Sequence, residues 1–426
     1  MAYTLSDIKG LIGALAPVQT AHQNQARNLL QERQFPTRRD EEWRYTPLKA
    51  LLEKEITLDP VTDIDSSVLD PLKAILPNAL HLVFIDGQFS QTDSDSLEDL
   101  ETGLSIDRIS TLGDDKESRV NSMVNDAQFT DDNLFQQLAL SLSQDGLFID
   151  VAMNVEIEKQ IHIINFGSND SASLSAPLLF AHLHANSRLT LVQHYVSNNA
   201  AALTVPGEYI RLEEGSGLKQ FRIGLESMQT DHIANTHAHV AGSAAYESHQ
   251  YLFGSKLTRS NTEVTFAGSG ADVQLRGLYL GSDDQHLDVR TYVDHVHGNC
   301  VSDQHFRGIL ADRARGVFNG LVMVQKDAQQ TNAEQSNKNL LLSRDARVDT
   351  KPQLEIYADD VRCAHGATVG ELDSDALFYL QSRGIDREEA AQMLIHAFAG
   401  EVTQDIDVPE LQDYIQNKVH EKLIKF

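Results

Sequence analysis

The sequence predicts a mainly β protein, a parallel β-helix held between helical ends, and three observations carry that reading. From about residue 147 to 360, side chains alternate with period 2 in short runs rich in β-branched and aromatic residues. Small-residue turns punctuate the runs at Asn186-Ser187, Gly215-Ser216-Gly217, Gly242-Ser243, Gly268-Ser269-Gly270 and Gly298-Asn299. The steps from Ser187 through Ser216, Ser243 and Ser269 to Asn299 are 29, 27, 26 and 30 residues. Between these turns nothing has helical period, so there is no crossover helix and a doubly wound α/β sheet is unlike this pattern. A propeller blade needs about 40 residues, which is longer than the repeat. One coil per repeat fits the spacing; a β-sandwich is the competing architecture.

The elements follow in chain order. Residues 1–57 read as helical: Ser6 can cap a helix bearing Ile8, Leu11, Ile12 and Leu15, which Pro17 ends. A second helix through Ala26, Leu29 and Leu30 must stop before Pro36. Residues 35–48 gather charges around Trp43, the only tryptophan, which reads as an anchor between helices. Residues 58–146 form a mixed connecting region rich in Asp and Ser. Strands are expected there at 81–87 and 104–107, with one helix around Leu134, Leu138 and Leu142 ending at Asp145-Gly146. The β-helix occupies 147–370.

Helical period returns in 371–426. Ser374 can cap a helix through Leu377, Phe378 and Leu380 that Gly384 stops. Asp386 with Glu389 resembles a capping box for a helix whose apolar face is Ala390, Leu394, Ala397 and Phe398. Pro409 opens the last helix, ahead of Leu411, Ile415, Val419 and Leu423. Part of these stripes must pack on the β body, and the rest either cap the solenoid or meet a partner.

Composition narrows the function classes. At 426 residues the chain exceeds one small core. Its 35 basic and 62 acidic residues leave −27, a field that repels phosphate backbones and argues against nucleic-acid binding. Hydrophobic residues at 41% and charged ones at 23% fit a folded chain rather than a disordered one. No run approaches the roughly 20 apolar residues of a membrane span, and the start MAYTLSDIKG lacks the basic-then-apolar order of a signal peptide. Cys300 and Cys363 are the only cysteines, too few for a disulfide scaffold or a four-cysteine metal site, so a cytoplasmic chain with free thiols is expected.

Common catalytic frameworks are missing. Gly254-Ser255-Lys256-Leu257-Thr258 is only a fragment of a P-loop, Gly268-x-Gly270 lacks a third glycine, and there is no G-x-S-x-G. Three His-x-His pairs occur: His182 with His184, His237 with His239, and His295 with His297. On a strand each pair faces one side and offers two nitrogens to a metal. A cupin-like metal-dependent enzyme would add a Glu a few residues on, but after His239 the next is Glu247, eight residues away. Surface histidines are the plainer reading. The densest segment is 350–370, where Cys363 and His365 stand one residue apart with Asp359, Asp360 and Glu371 nearby. If extended, thiol and imidazole face one side and offer two ligands to iron or a cluster edge. The plainer reading is a buried thiol beside a turn histidine.

Here the sequence resembles a known family. The run from Asn339-Leu340-Leu341-Leu342-Ser343 through Lys351-Pro352-Gln353-Leu354-Glu355-Ile356, Asp359-Asp360-Val361 and His365-Gly366-Ala367-Thr368 to Phe378-Tyr379-Leu380-x-Ser382-Arg383-Gly384-Ile385 is similar to the C-terminal signature of the SufB/SufD family. The N-terminal Glu42-Trp43-Arg44-Tyr45-Thr46 is similar to that family's N-terminal motif, and the resemblance spans the chain. Length and scarcity of cysteine lie on the SufD side. The resemblance implies a right-handed parallel β-helix and a non-catalytic subunit of an iron–sulfur cluster assembly scaffold. It implies pairing with SufB through the β-helices and binding of the ATPase SufC through the C-terminal helices, for which Phe378, Tyr379, Leu394 and Phe398 are the candidates. It implies no ATP site in this chain, iron or a transient Fe–S cluster at the SufB–SufD interface, and room for a flavin at the level of the complex. His365 matches the histidine tied to cluster assembly, and Cys363 is a secondary candidate ligand.

Overall fold

A computed structural model describes residues 2–15, 20–57, 64–127, 134–168, 173–198 and 202–424. Pro17, the expected end of the first helix, lies outside them. Two sheets, of 13 and 10 strands, face each other, and the chain passes from one to the other along the solenoid. In the 10-stranded sheet Arg188 aligns with Gly217, Gly217 with Ala245, Ala245 with Asp272, Asp272 with Val301, Val301 with Asn332 and Asn332 with Arg362, all in parallel. Each strand therefore meets the next coil of the same chain. The result is a β-solenoid of about 7 turns rather than a sandwich.

The corners explain the repeat that the sequence announced. Asn186, Gly215, Ser243, Gly270, Asn299 and Gln330 all have φ between 56° and 76°. One residue per coil thus takes the left-handed conformation that Gly and Asn tolerate best. A second corner repeats at Ser255, Asp283 and Asp312, with φ of 64°, 53° and 52°. Between corners, alternate residues point into a lumen filled by Leu189, Leu191, Val240, Phe266, Val289, Phe306 and Phe318, all buried in one cluster. Helices cover part of the opposite face of each sheet. The helices Ala21–Glu32 and Leu134–Leu142 pack over the 13-stranded sheet on Phe180, Tyr209 and Ile233. The helices Arg387–Gly400 and Pro409–Leu423 pack over the 10-stranded sheet on Phe221, Tyr251, Leu278 and Ile309. Among the described residues no helix is long and apolar enough to cross a membrane.

Several local expectations shift by a residue or more. Leu5–Asp7 forms a short 3-10 turn, so Asp7 rather than Ser6 caps the first helix, accepting from the Gly10 N–H at 3.1 Å. Asp373 rather than Ser374 caps the helix Ser374–Ser382 through the Asp375 and Ala376 N–H groups. Asp386 caps its helix as expected. That helix buries Ala390, Ile395 and Ala399, which leaves Leu394 and Phe398 half-buried and Ala397 exposed. The connecting region also contributes to the solenoid: Leu80–Ile85 lies parallel to Ile161–Gly167, and Leu104–Arg108 antiparallel to Gly146–Val151.

Candidate functional site

Arg362–Gly370 is the last strand of the 10-stranded sheet and pairs on one side only, with Asn332–Leu341. Register carries the lumen columns onto it. Ser302 and Ala333 precede Cys363, and Gln304 and Gln335 precede His365. Ala333 and Gln335 are buried because another coil covers them, whereas His365 is exposed and Cys363 half-buried because no further coil follows. The sequence thus brings thiol and imidazole to one inward face, as period 2 requires.

Beneath them the lumen turns polar. Gln304 accepts from Thr291 at 2.7 Å and from Gln335 at 3.4 Å. Gly320 makes the room, since a Cβ there would collide with the Gln335 amide. Gln335 Oε1 stays buried without a hydrogen-bond partner one rung below His365. Burial pushes the Cys363 thiol up, with the Ala333 backbone bond opposing, so at neutral pH it is protonated and a weak ligand until a metal displaces the proton. Cys300 is buried, points its thiol at the Gly268 carbonyl at 3.3 Å, and is likewise pushed up by burial. Both cysteines are free.

The same final coil exposes apolar groups. Ile356 is 40% exposed, Tyr357 60% and Val369 48%. On the following helix Phe378 is 72% exposed and Tyr379 57%, while Phe398 lies under Arg307 with its ring centroid at 5.6 Å. The four residues named as a partner surface therefore divide into two that are exposed and two that are half-buried.

The other histidine pairs serve different ends. His295 is buried, stacks on Phe266 and bonds Ser302 at 2.8 Å, but His297 lies exposed in the corner beyond the strand. His237 faces outward, stacks on Tyr209 and pairs with Glu263 at 3.1 Å. Among the described residues, two groups bring three ligand atoms within 4.8 Å of one another: Asp150 with His182 and His184, and Asp303 with His305 and Glu334. Neither contains Cys363 or His365, so no third ligand joins the end-strand pair among the described residues. Asp150 lies 32 positions before His182, and only the coil register joins them. Sequence spacing therefore gave no sign of its part.

The motif at Glu42–Thr46 is an anchor. Arg259 lies 3.5 Å above the Trp43 ring and donates to the Glu42 carbonyl, and Thr46 donates to Asp288 at 2.5 Å. Trp43 also packs on Phe135, at 5.0 Å between centroids, so it joins a helix to the sheet rather than helix to helix.

Comparison with known proteins agrees with this geometry. Residues 10–163 match the SufBD protein N-terminal region, and residues 165–398 match the SufBD core domain of SUF system FeS cluster assembly. The chain is 31% identical over 393 residues to the iron–sulfur cluster assembly protein SufD of Escherichia coli, covering 91% of this chain and 89% of that one. It is 29% identical over 405 residues to an iron–sulfur cluster assembly SufBD family protein of Synechocystis, covering 92% and 89%. To a chloroplastic protein of Arabidopsis thaliana it is 30% identical over 413 residues, covering 95% and 86%. With both family regions matched along a solenoid of the predicted kind, the chain belongs to the SufBD family of the SUF iron–sulfur cluster assembly system.

Proposed function

We propose that this chain is the SufD-like subunit of a cytoplasmic SUF scaffold, pairing with SufB through the open end of its solenoid. One observation carries the reading: the final coil leaves its inward face, its strand edges, the His365 imidazole and part of the Cys363 thiol uncovered together. Arg347–Ile356 and Arg362–Gly370 are the edges of the two sheets on that side. An uncovered edge offers unpaired N–H and C=O groups and is a ready template for a second chain. Ile356, Tyr357 and Val369 supply the apolar area that such docking would bury.

Iron, or a nascent cluster, is the cargo of this interface. His365 gives an imidazole nitrogen, Cys363 a second and weaker ligand, and the remaining ligands come from SufB, since clusters are held mainly by thiolates. SufC hydrolyses ATP and docks on the C-terminal helices through Phe378 and Tyr379, with Leu394 and Phe398 at the margin of the contact. This chain performs no catalytic step in the proposal; it presents ligands and transmits motion.

The test is His365→Ala in the full complex. The residue is exposed and contributes no core, so assembly with SufB and SufC should be unchanged. Bound iron, acid-labile sulfide and maturation of a reporter iron–sulfur enzyme should each fall about tenfold or more, the scale of losing a metal ligand. Cys363→Ser should cost less. Normal values of all three in an intact His365→Ala complex would reduce His365 to a structural residue.

A further inference from the structure

We propose that Asp150, His182 and His184 form a binding site for a divalent first-row transition cation on the outer face of the 13-stranded sheet, with Glu213 as the carboxylate that orients both imidazoles. The site lies at the other end of the sheet from Arg347–Ile356 and is independent of the role given to His365.

Register builds it. Gly146–Val151 runs parallel to Leu178–Leu183 with Asp150 opposite His182, and Gly207–Leu212 follows on the next rung, immediately before Glu213. Leu147, Ile149, Ala181 and Leu183 fill the lumen, so Asp150 and His182 point outward. Asp150 Oδ1 is 3.6 Å from His182 Nδ1 and 3.2 Å from His184 Nε2. Ligands bound at about 2.0–2.1 Å around a tetrahedral ion sit roughly 3.3–3.4 Å apart. The observed spacings bracket that edge.

The remaining polar atoms settle which nitrogens are offered. Glu213 Oε1 accepts from His182 Nε2 at 2.9 Å and from His184 Nδ1 at 3.1 Å, while Glu213 Oε2 takes the Ala185 N–H at 3.1 Å. A carboxylate only accepts, so both rings spend their single N–H on Glu213. His182 Nδ1 and His184 Nε2 then carry lone pairs, and both lone pairs face another acceptor, the Asp150 carboxylate. Three acceptors converging on one point repel unless a cation lies between them. His182 is only 4% exposed, and its Nδ1 and Asp150 Oδ1 are buried without a hydrogen-bond partner.

Arg119 is the rival cation. Its Nη1 stands 3.4 Å from both Asp150 Oδ2 and His184 Nε2, at the outer limit of hydrogen bonding, and its Nη2 is held by Asp115 at 2.8 Å. Its hydrogen bonds and ion pairs reach Asp150, His184 and Asp115 but not His182. Two imidazoles and one carboxylate suit Zn(II), Co(II) or Fe(II) rather than Mg(II) or Ca(II), and three protein ligands leave a position for water. A carboxylate behind each ligating histidine is the usual second layer of such sites.

The experiment titrates Co(II) anaerobically into the full chain and reads its visible d–d absorption, with Mg(II) as the comparison ion. A background of His365→Ala with Cys363→Ser removes the end-strand ligands. One Co(II) should bind with a tetrahedral spectrum in the natural chain and in this background alike. Affinity should fall at least 100-fold in Asp150→Asn and in His184→Gln, and about tenfold or more in Glu213→Gln. A readout without variants covers the case in which these fail to fold: Zn(II), but not Mg(II), should protect His184 from carbethoxylation by diethyl pyrocarbonate. Co(II) binding no tighter than Mg(II), unchanged binding in folded Asp150→Asn and His184→Gln, or an unprotected His184 would each overturn the proposal and leave an ion-paired histidine cluster.

Discussion

Asp288→Asn tests how the N-terminal segment is fastened to the solenoid. The carboxylate is fully buried and receives Arg259 Nη1 at 3.2 Å, Arg290 Nε at 3.3 Å and the Thr46 hydroxyl at 2.5 Å. Burial alone would raise its pKa, but Arg290 and Arg259 outweigh burial and hold it below the usual carboxylate range. Burial also pushes Arg259 down to about 9, so at pH 7 it is still a cation and needs its anion. Asparagine keeps the shape and deletes the charge, leaving Arg259 without a buried counterion and Arg290 with only Glu42, whose side chain is largely exposed. Breaking a buried pair this way costs about 3–5 kcal/mol, against the roughly 5–15 kcal/mol that holds a typical domain. Thr46→Val should cost about 1.5–3 kcal/mol for one bond to a charged group. Trp43 is the only tryptophan, so its fluorescence reports docking of this segment while far-UV circular dichroism reports the sheets. In urea the Trp43 transition should move to lower denaturant in Asp288→Asn, by more than the circular dichroism transition does. The pH sign is fixed as well. A carboxyl depressed in the folded state contributes fully above its unfolded pKa of about 3.9 and loses that contribution as pH falls through the folded value, so Asp288→Asn should lack this acid limb. A loss under about 1 kcal/mol with unchanged Trp43 emission would refute the anchor.

Replacing Phe378 and Tyr379 together with serine should abolish SufC capture by the complex while changing stability by no more than about 0.5 kcal/mol, since both are exposed. Deleting the C-terminal helices is a poorer test, because it would strip the cover from Phe221, Tyr251 and Ile309. Burial pushes His194 down to about 3 and His162 well below its ordinary value, within the chain His81–His162–His194 bonded at 3.1 and 2.8 Å. The unfolded state therefore binds more protons below about pH 6.5. Lowering pH from 7.5 to 5.5 should cost about 1.4 kcal/mol for His194 in urea titrations, a share that His194→Gln should remove, with a further loss in the same direction from His162. At the corner residue Asn299, φ is 60°, so Asn299→Val should cost about 1–2 kcal/mol in the same assay and Asn299→Gly almost nothing.

What was legible in the sequence is what local chemistry sets. The corners were visible because one position per coil needs a left-handed residue, and Asn186, Gly215, Gly270 and Asn299 meet that need openly. Ser255 and Gln330 meet the same need with side chains that give no such signal, so those corners were silent. Cys363 and His365 were legible as a pair through period 2, but their exposure depends on a coil that does not follow. Asp150 and Glu213 were illegible because their partners lie a coil away, and Asp288 because Arg259 and Thr46 reach it from another coil and from the N-terminal segment; only its neighbour Arg290 is local, and no local pattern encodes coil register. The expected face of the helix Arg387–Gly400 holds at Ala390 and in part at Phe398 but shifts from Leu394 to Ile395 for a related reason: adjacent apolar residues are equally good candidates until the sheet beneath chooses.

The two ends of the solenoid are built by opposite rules. At the first coils the sheets finish in antiparallel strands: Gln88–Ser90 folds back on Leu80–Ile85, and Leu104–Arg108 lies against Gly146–Val151. Phe84, Phe89 and Ile106 plug the lumen there. A repeat protein needs such caps, because each coil otherwise exposes the face that its neighbour would bury. At the last coil, among the described residues, no strand folds back, and the lumen column through His365 ends in amides and an imidazole rather than in phenyl rings. Gln304, Gln335 and His365 are poor plugs, since buried amides want partners and Gln335 Oε1 has none. A sequence that closes one end with aromatic side chains and leaves the other polar and open has placed its unsatisfied groups where a second chain can satisfy them.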